Sequence, residues 1–493
     1  MENVAPADEV ASDQPDYRSV QSQEGKAQSD LAMGQDAIPD LLRVGEISSN
    51  QMAHIDTEVL EPVIFNDAGD SGFIRFQITN KGFLNPYSRI CFSLKNNDTA
   101  NAEGTLPVNV GVGSLFKRVC LKIGGKTICE LDDFSNFYAY KSMFVAGEMN
   151  KEREQYLSGR IMSHHQHYLK GTAAAAAVGS YHGNVSREVS LDTGRDYAAG
   201  NLEINSFAEL SKEGVFSITL EDLLPVFKAT AIPLYLLNSD QPVQIELTLN
   251  PSVDRWASTV GTTNAAAQMT INRNDCRMIA DYTTYDLSIM ESYAAANPVI
   301  SWTFMDYQLS KTSYATAGAA QSTIRNIGGA GRLVPRVFNC LSLNSDTNTT
   351  LMNKYTAQAL ENAGGVDYGK LTTNLKKNDK FLYPIDRSNT ALHFHSVKDT
   401  EGFLPFITRD EYSGQGDTLT GDTYMGRAQK GSLSGKFFWN AYKVNDGERV
   451  GSRGLELHNK YVSLPAGAYT GRCWIEAVKI AVLENGRFDC YFA

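Results

Sequence analysis

Five places in the chain carry residue types able to do chemistry. The run 163-SHHQHY-168, with His182 further along, brings imidazoles together, and imidazole is a borderline-soft neutral donor suited to zinc. Consecutive residues such as His164 and His165 point apart in an extended chain, however, and no Cys or acidic residue stands at ligand spacing from His167, so the run reads as a polar loop. The pairs Asp132/Asp133 and Asp281/Asp286 are of the kind that does acid-base work on sugars, which requires two carboxylates facing each other across a cleft. In 431-GSLSGKFF-438 the glycine spacing is one residue short of a phosphate loop, Phe437 stands where Ser or Thr would hold magnesium, and Leu433 stands where a nucleophile elbow needs Ser. The basic run 370-KLTTNLKKNDK-380 lacks interleaved aromatics and reads as a solvated face. No HExxH or EF-hand loop occurs, and no catalytic residue, metal ligand or cofactor is assigned.

The elements that would position such residues are β-strands. With 493 residues, 42% apolar, 20% charged, 40 Gly, 23 Tyr and 22 Phe, the composition fits a soluble, loop-rich, β-dominated protein of two large or three small domains. A net charge of -11 excludes nucleic-acid binding through a general basic field. The N-terminus lacks a positive n-region and an apolar h-region, and no stretch approaches the ~20 apolar residues of a membrane span, so synthesis without a signal peptide is expected. Seven Cys, at 91, 120, 129, 276, 340, 473 and 490, form no CxxC pair, and the sequons at Asn97, Asn184 and Asn348 read as chance matches.

Residues 1–50 hold ten acidic against three basic residues and read as an arm, not a domain. From about residue 55 the apolar period becomes two: Ile74, Phe76 and Ile78 alternate with Arg75, Gln77 and Thr79, and 89-RICFSLK-95, 215-VFSITL-220 and 243-VQIELTL-249 repeat the pattern. Each predicts a strand with one buried and one wet face. Further strands are expected at 276–290, 299–309, 333–344, 435–444 and 473–493, a helix at 220–227, and loops at 171–200, 251–268, 312–332 and 345–375.

In 116-FKRVCLKIGGKTICELDDFSNFYAYKSMF-144 the alternation of Val119, Leu121 and Ile123 runs into Gly124-Gly125, which predicts a two-residue hairpin with positive φ. That register sets Leu121 against Ile128 and Cys120 against Cys129 in a non-hydrogen-bonded pair, Cα atoms about 4.5 Å apart, at the short edge of disulfide geometry. Free thiols are expected in a reducing compartment, with closure open to later oxidation. Leu121, Ile123 and Ile128 should share the buried face. Behind the hairpin, Asp132 or Asp133 is expected to cap a helix whose Phe134, Phe137, Tyr138 and Phe144 serve as core.

The segments 118–144, 216-FSITLEDLLPVFKATAIPLYLLNSDQPVQIELTL-249, 278-MIADYTTYDLSIMESY-293, 300-ISWTFMDYQL-309 and 463-SLPAGAYTGRCWIEAVKIAVL-483, in that order, resemble the double jelly-roll major capsid proteins of eukaryotic DNA viruses, nearest those of polinton-like viruses and virophages. The acidic arm departs from that pattern. The resemblance implies an all-β fold of two tandem eight-stranded antiparallel jelly rolls, 51–294 and 295–493, with short helices in the connections. It further implies a non-enzymatic virion protein that forms pseudo-hexameric homotrimers tiling an icosahedral shell. Its partners would be neighbouring capsomers and penton and minor or cement proteins, with no sequence-specific nucleic acid and no transmembrane segment. Lectins and sugar hydrolases share jelly rolls, so a carbohydrate-binding or carbohydrate-cleaving surface protein is the alternative.

Overall fold

The computed structural model describes residues 53–67, 72–96, 104–105, 110–145, 216–228, 230–255, 257–258, 269–316, 321–344, 355, 370–388, 390–401, 439–444, 447–462 and 467–493. The arm, the histidine run with His182, the 171–200 loop, the three sequon asparagines and 431–438 lie outside them. The chain divides into two compact units, Met1–Ile55 with Thr283–Pro298, and Asp56–Tyr282 with Val299–Ala493. In the first, helix Leu287–Ala296 starts at Asp286, whose carbonyl accepts from Ile289 N, and ends at Asn297, whose side-chain amide donates to the Tyr293 carbonyl. The remaining elements belong to the second unit, with strands that run a few residues past its edge.

Up to residue 284 the principal strands are β1 (His54–Leu60), β2 (Phe73–Ile78), β3 (Arg89–Phe92), β4 (Phe116–Ile123), β5 (Lys126–Asp132), β6 (Phe216–Thr219), β7 (Val243–Leu249) and β8 (Arg277–Thr284). They form one sheet in the order β1-β8-β3-β6 and another in the order β2-β7-β4-β5. From residue 299 follow β9 (Val299–Thr316), β10 (Gln321–Gly328), β11 (Arg336–Leu343), β12 (Lys370–Lys377), β13 (Lys380–Phe381), β14 (Trp439–Lys443), β15 (Leu455–Val462) and β16 (Gly467–Glu484). Their sheets run β9-β16-β11-β14 and β10-β15-β12-β13, the first order with eight added to every strand number. Both are jelly-roll orders. A last strand, β17 (Arg487–Phe492), adds to β16.

Alternation explains the core. On β2, Ile74, Phe76 and Ile78 are buried and Gln77 is exposed, and on β7 Val243, Ile245, Leu247 and Leu249 face the same interior. The connection after β5 carries helix α1 (Phe134–Val145) and the one after β13 carries helix α2 (Thr390–Glu401), so the repeat extends to the helices.

Several expectations need correction. The 276–290 strand stops at Thr284, and Leu287 begins a helix. Within the expected loop at 312–332 lie the end of β9 and all of β10, where polar β-formers keep the alternation without the apolar signal. The loop at 345–375 gives way to β12 at Lys370, the loop at 251–268 holds a helical turn at Ser252–Arg255, and α2 was not anticipated. The expected 220–227 helix is a short α-turn, Leu220–Leu223, followed by a 3-10 turn, Pro225–Lys228.

The hairpin turn forms as expected, with φ of 57° at Gly124 and 79° at Gly125. Its register does not. A β-bulge between Leu121 and Lys122 pairs Leu121 with Cys129 and Cys120 with Glu130, so Cys120 and Cys129 are not opposite one another. The extra residue lets Ile128 and Cys129 both be fully buried while Glu130 returns to the outer face, where it pairs with Arg118. Leu121, Ile123 and Ile128 do share the core. All seven cysteines are free thiols.

Candidate functional site

Sequence-derived candidates are dispersed by the fold. Asp281 accepts from Thr57 Oγ1 at 2.7 Å and lies 3.7 Å from Arg89, so its carboxylate is engaged within the first half. In the basic run, Lys376 pairs with Glu456 at 3.2 Å and Asp379 at 3.4 Å, and Lys377 is buried with its ammonium donating to the Glu448 carbonyl at 2.8 Å. Among the described residues no group of three or more His, Cys, Asp or Glu side chains could hold a metal ion, and no helix is long and apolar enough to cross a membrane.

Among the described residues a dense polar constellation lies instead where α1 and β5 meet β9, β11 and β16. The Asp133 carboxylate takes no backbone N–H of α1; at φ 54° its backbone carbonyl accepts from Phe137 N, its Oδ1 accepts from Asn136 Nδ2 at 2.6 Å, and its Oδ2 turns to the second half. There it receives Arg472 Nε at 2.6 Å and Lys311 Nζ at 2.8 Å. Burial pushes this carboxyl up, but the two cations outweigh it and hold it at about 2. Next along, Lys479 Nζ lies 2.7 Å from Asp306 and donates to the Ile128 carbonyl at 2.8 Å, while Cys129 Sγ donates to Asp306 at 3.4 Å. Burial pushes the Cys129 thiol well up.

A third cluster completes the row. Glu476, fully buried, accepts from Arg336 Nε at 2.8 Å and from the Tyr307 hydroxyl at 2.8 Å. Glu401 accepts from Lys141 at 2.9 Å, the Tyr140 hydroxyl at 3.1 Å and Arg336 Nη1 at 3.3 Å. Aromatic rings fill the space between: Tyr140 stacks on Trp439 at 4.3 Å, Trp439 on Trp474 at 5.2 Å, and Phe137 meets Tyr307 at 4.5 Å. Phe134, Phe137 and Tyr138 are buried as expected; the side chain of Phe144 lies outside the described residues. The Trp474 indole donates to the Asp132 carbonyl at 3.4 Å. At a separate point Tyr355 enters the first half, donating to the Asp254 carbonyl at 2.8 Å and accepting from Asn250 Nδ2 at 3.3 Å.

Chemically this arrangement binds halves together. Each of its carboxylates faces a cation within 3.3 Å, which removes the free base that acid-base work needs. The thiols are equally quiet, since burial pushes Cys276, Cys340 and Cys473 up to about 12. Sequence reasoning missed this seam. The available signal was 472-RCWIEAVKI-480, where Arg472, Glu476 and Lys479 interrupt an otherwise apolar strand, a pattern that requires buried partners.

No family model and no curated protein matches the chain. Solved structures do. A cryo-EM structure of the Sputnik virophage aligns with a TM-score of 0.56 at 12% identity, over 93% of this chain and 92% of that one. The crystal structure of the mavirus major capsid protein aligns with a TM-score of 0.55 at 11% identity, over 100% of this chain and 96% of that one. PBCV-1 VP54, fitted into a reconstruction of Sputnik, aligns with a TM-score of 0.52 at 14% identity, over 91% and 99%. Identities this low speak to fold, and with the repeated strand order they agree on one: this chain has the double jelly-roll fold of viral major capsid proteins.

Proposed function

We propose that the protein is a major capsid protein whose homotrimers, pseudo-hexagonal in outline, tile the icosahedral shell of a double-stranded DNA virus. The observation that carries the reading is the repeat itself: two rolls of one strand order in a single chain, joined by a buried charged and aromatic seam. Three such chains present six similar bodies around a threefold axis, which is what a near-sixfold lattice position requires. The rolls correspond to residues 51–294 and 295–493, with 1–50 as an arm toward neighbouring subunits or the shell interior. Its place is the virion; its partners are neighbouring capsomers and penton and minor or cement proteins, and it performs no catalysis. Light scattering and negative-stain imaging of the purified protein test this. A trimer of roughly hexagonal outline is expected, and a monodisperse monomer at micromolar concentration would refute it.

A further inference from the structure

Helix Leu287–Ala296, in the first unit, reads Leu-Ser-Ile-Met-Glu-Ser-Tyr-Ala-Ala-Ala and buries none of its ten residues. Leu287 is 72% exposed, and Ile289, Met290 and Ala294 are half-buried. Leu287, Met290 and Ala294 fall on one face at helical spacing, and Glu291 is the one charge within the helix. Nucleation is unfavourable, so a helix of this length is marginal in water by propensity alone and needs its apolar stripe packed against something. Its end contacts are local, Ser292 Oγ to the Ser288 carbonyl at 2.6 Å and the Asn297 amide to the Tyr293 carbonyl at 3.0 Å, and supply no such packing.

The chain that precedes β1 arrives at this helix. Thr57 Oγ1 donates to Asp281 at 2.7 Å and Thr284 Oγ1 donates to the His54 carbonyl at 3.3 Å, so β1 runs antiparallel to β8 and starts beside its end. Following β1 backwards from His54 is therefore following β8 forwards, and three residues past Thr284 the helix begins. Met1–Ile55 and Thr283–Pro298 fall in one unit.

The arm holds an apolar stretch of matching length. In 38-IPDLLRVGEI-47, Ile38, Leu41, Leu42, Val44 and Ile47 stand together, whereas residues 12–30 hold Val20 as their one branched aliphatic. The seven residues from Ile47 to His54 span up to about 23 Å when extended, and the helix is about 15 Å long, so the stretch can reach all of it.

We propose that residues 38–47 of the arm dock on the apolar face of helix Leu287–Ala296 of the same chain, setting their leucines against Leu287 and Met290. The tether makes this contact intramolecular, at a roughly millimolar effective concentration, so a contact too weak to join separate molecules suffices. Docked there, the arm covers the stripe that the helix leaves open, and residues 1–37 depart from a fixed point on the subunit. The inference holds whether or not the chain builds a shell.

Hydrogen-deuterium exchange tests this on the full chain, on a form lacking residues 1–48 and on the full-length double variant Leu41→Asp, Leu42→Asp. Exchange across 287–297 should quicken about tenfold in both altered forms, with 73–78 and 243–249 unchanged, and a peptide of residues 36–49 should restore protection to the truncated form. Unchanged exchange across 287–297 in the double variant overturns the proposal, and that variant alone decides if truncation also loosens 73–78. The occupant is identified with a Leu42→Cys, Leu287→Cys chain oxidised by a small disulfide reagent. A bond within one chain, absent from either single variant, is expected; a two-chain band on a denaturing gel that neither single variant gives would assign the face to the arm of another copy and overturn the proposal.

Discussion

The last principal strand of each roll occupies the same place in its sheet, yet the two live in different environments. β8 has eight residues and keeps one wet face, alternating buried Met278, Ala280 and Tyr282 with more open neighbours. β16 has eighteen residues and is buried on both faces from Gly471 to Ala477, including Arg472 and Glu476. Strand order follows from alternation and connection, which both rolls share. The second buried face of β16 follows from contact with the first roll, and the charges on it are tolerated because each has a partner: Arg472 meets Asp133, between β5 and α1, and Glu476 meets Arg336 of β11 and Tyr307 of β9.

Removing the seam's central ring should erase this distinction. Trp474→Ala takes out a fully buried indole lying between Trp439 and Phe137, and a loss of about 3–5 kcal/mol is expected in denaturant unfolding. Leaving the ring but breaking the charge row is next: Asp133→Ala leaves the buried Arg472 guanidinium without its carboxylate and should cost about 3 kcal/mol, whereas breaking the exposed pair Arg453–Asp379 should have a far smaller effect.

Acid sharpens the comparison. Asp133 titrates lower folded than unfolded, so its contribution is complete above about pH 4 and lost as pH falls toward about 2, worth about 2 kcal/mol. His393 acts earlier and only in the second roll. Its ring nitrogens lie 2.9 Å from the Leu371 carbonyl and 2.9 Å from the Asn440 amide, and burial, despite these contacts, pulls the imidazole down to about 4, with Arg387 adding to the effect. The unfolded ring binds its proton near pH 6.5, so stability is full above that and declines by up to about 3 kcal/mol as pH falls to about 4. Thermal melts from pH 7 to 4 should show this decline, and His393→Gln should flatten it.

The smallest effects concern equivalent turns. β4 and β5 join through Gly124-Gly125, β12 and β13 through Asn378-Asp379 at φ 50° and 65°, so both rolls use left-handed pairs. Gly125→Asn should therefore change stability by under about 1 kcal/mol, because its Cβ meets nothing. Gly124→Val should cost about 1–3 kcal/mol, because a Cβ there runs into Gln241 as well as straining φ. Circular dichroism melts separate the two.

Read from residues alone, β2, β3, β4, β6 and β7 were legible because polar and apolar residues alternate along each, which leaves a period of two in the sequence. β10 and β12 were not, since Thr, Asn, Gln and Lys hide the same period, and the Asn378-Asp379 turn went unread for want of glycine. The Cys120 register failed because a bulge costs little locally and is chosen by what Ile128 and Cys129 reach, Cys129 meeting Asp306 from the far roll.

The sequence by itself determined the all-β class, the Gly124-Gly125 turn and most strands of the first roll, properties set by neighbours within a few residues. Tertiary structure alone decided the seam. Asp133 lies 339 positions from Arg472 in the chain, and Lys141 lies 260 from Glu401. Whether such charges are solvated surface or buried partners depends on which elements exclude water around them, and no local pattern carries that information.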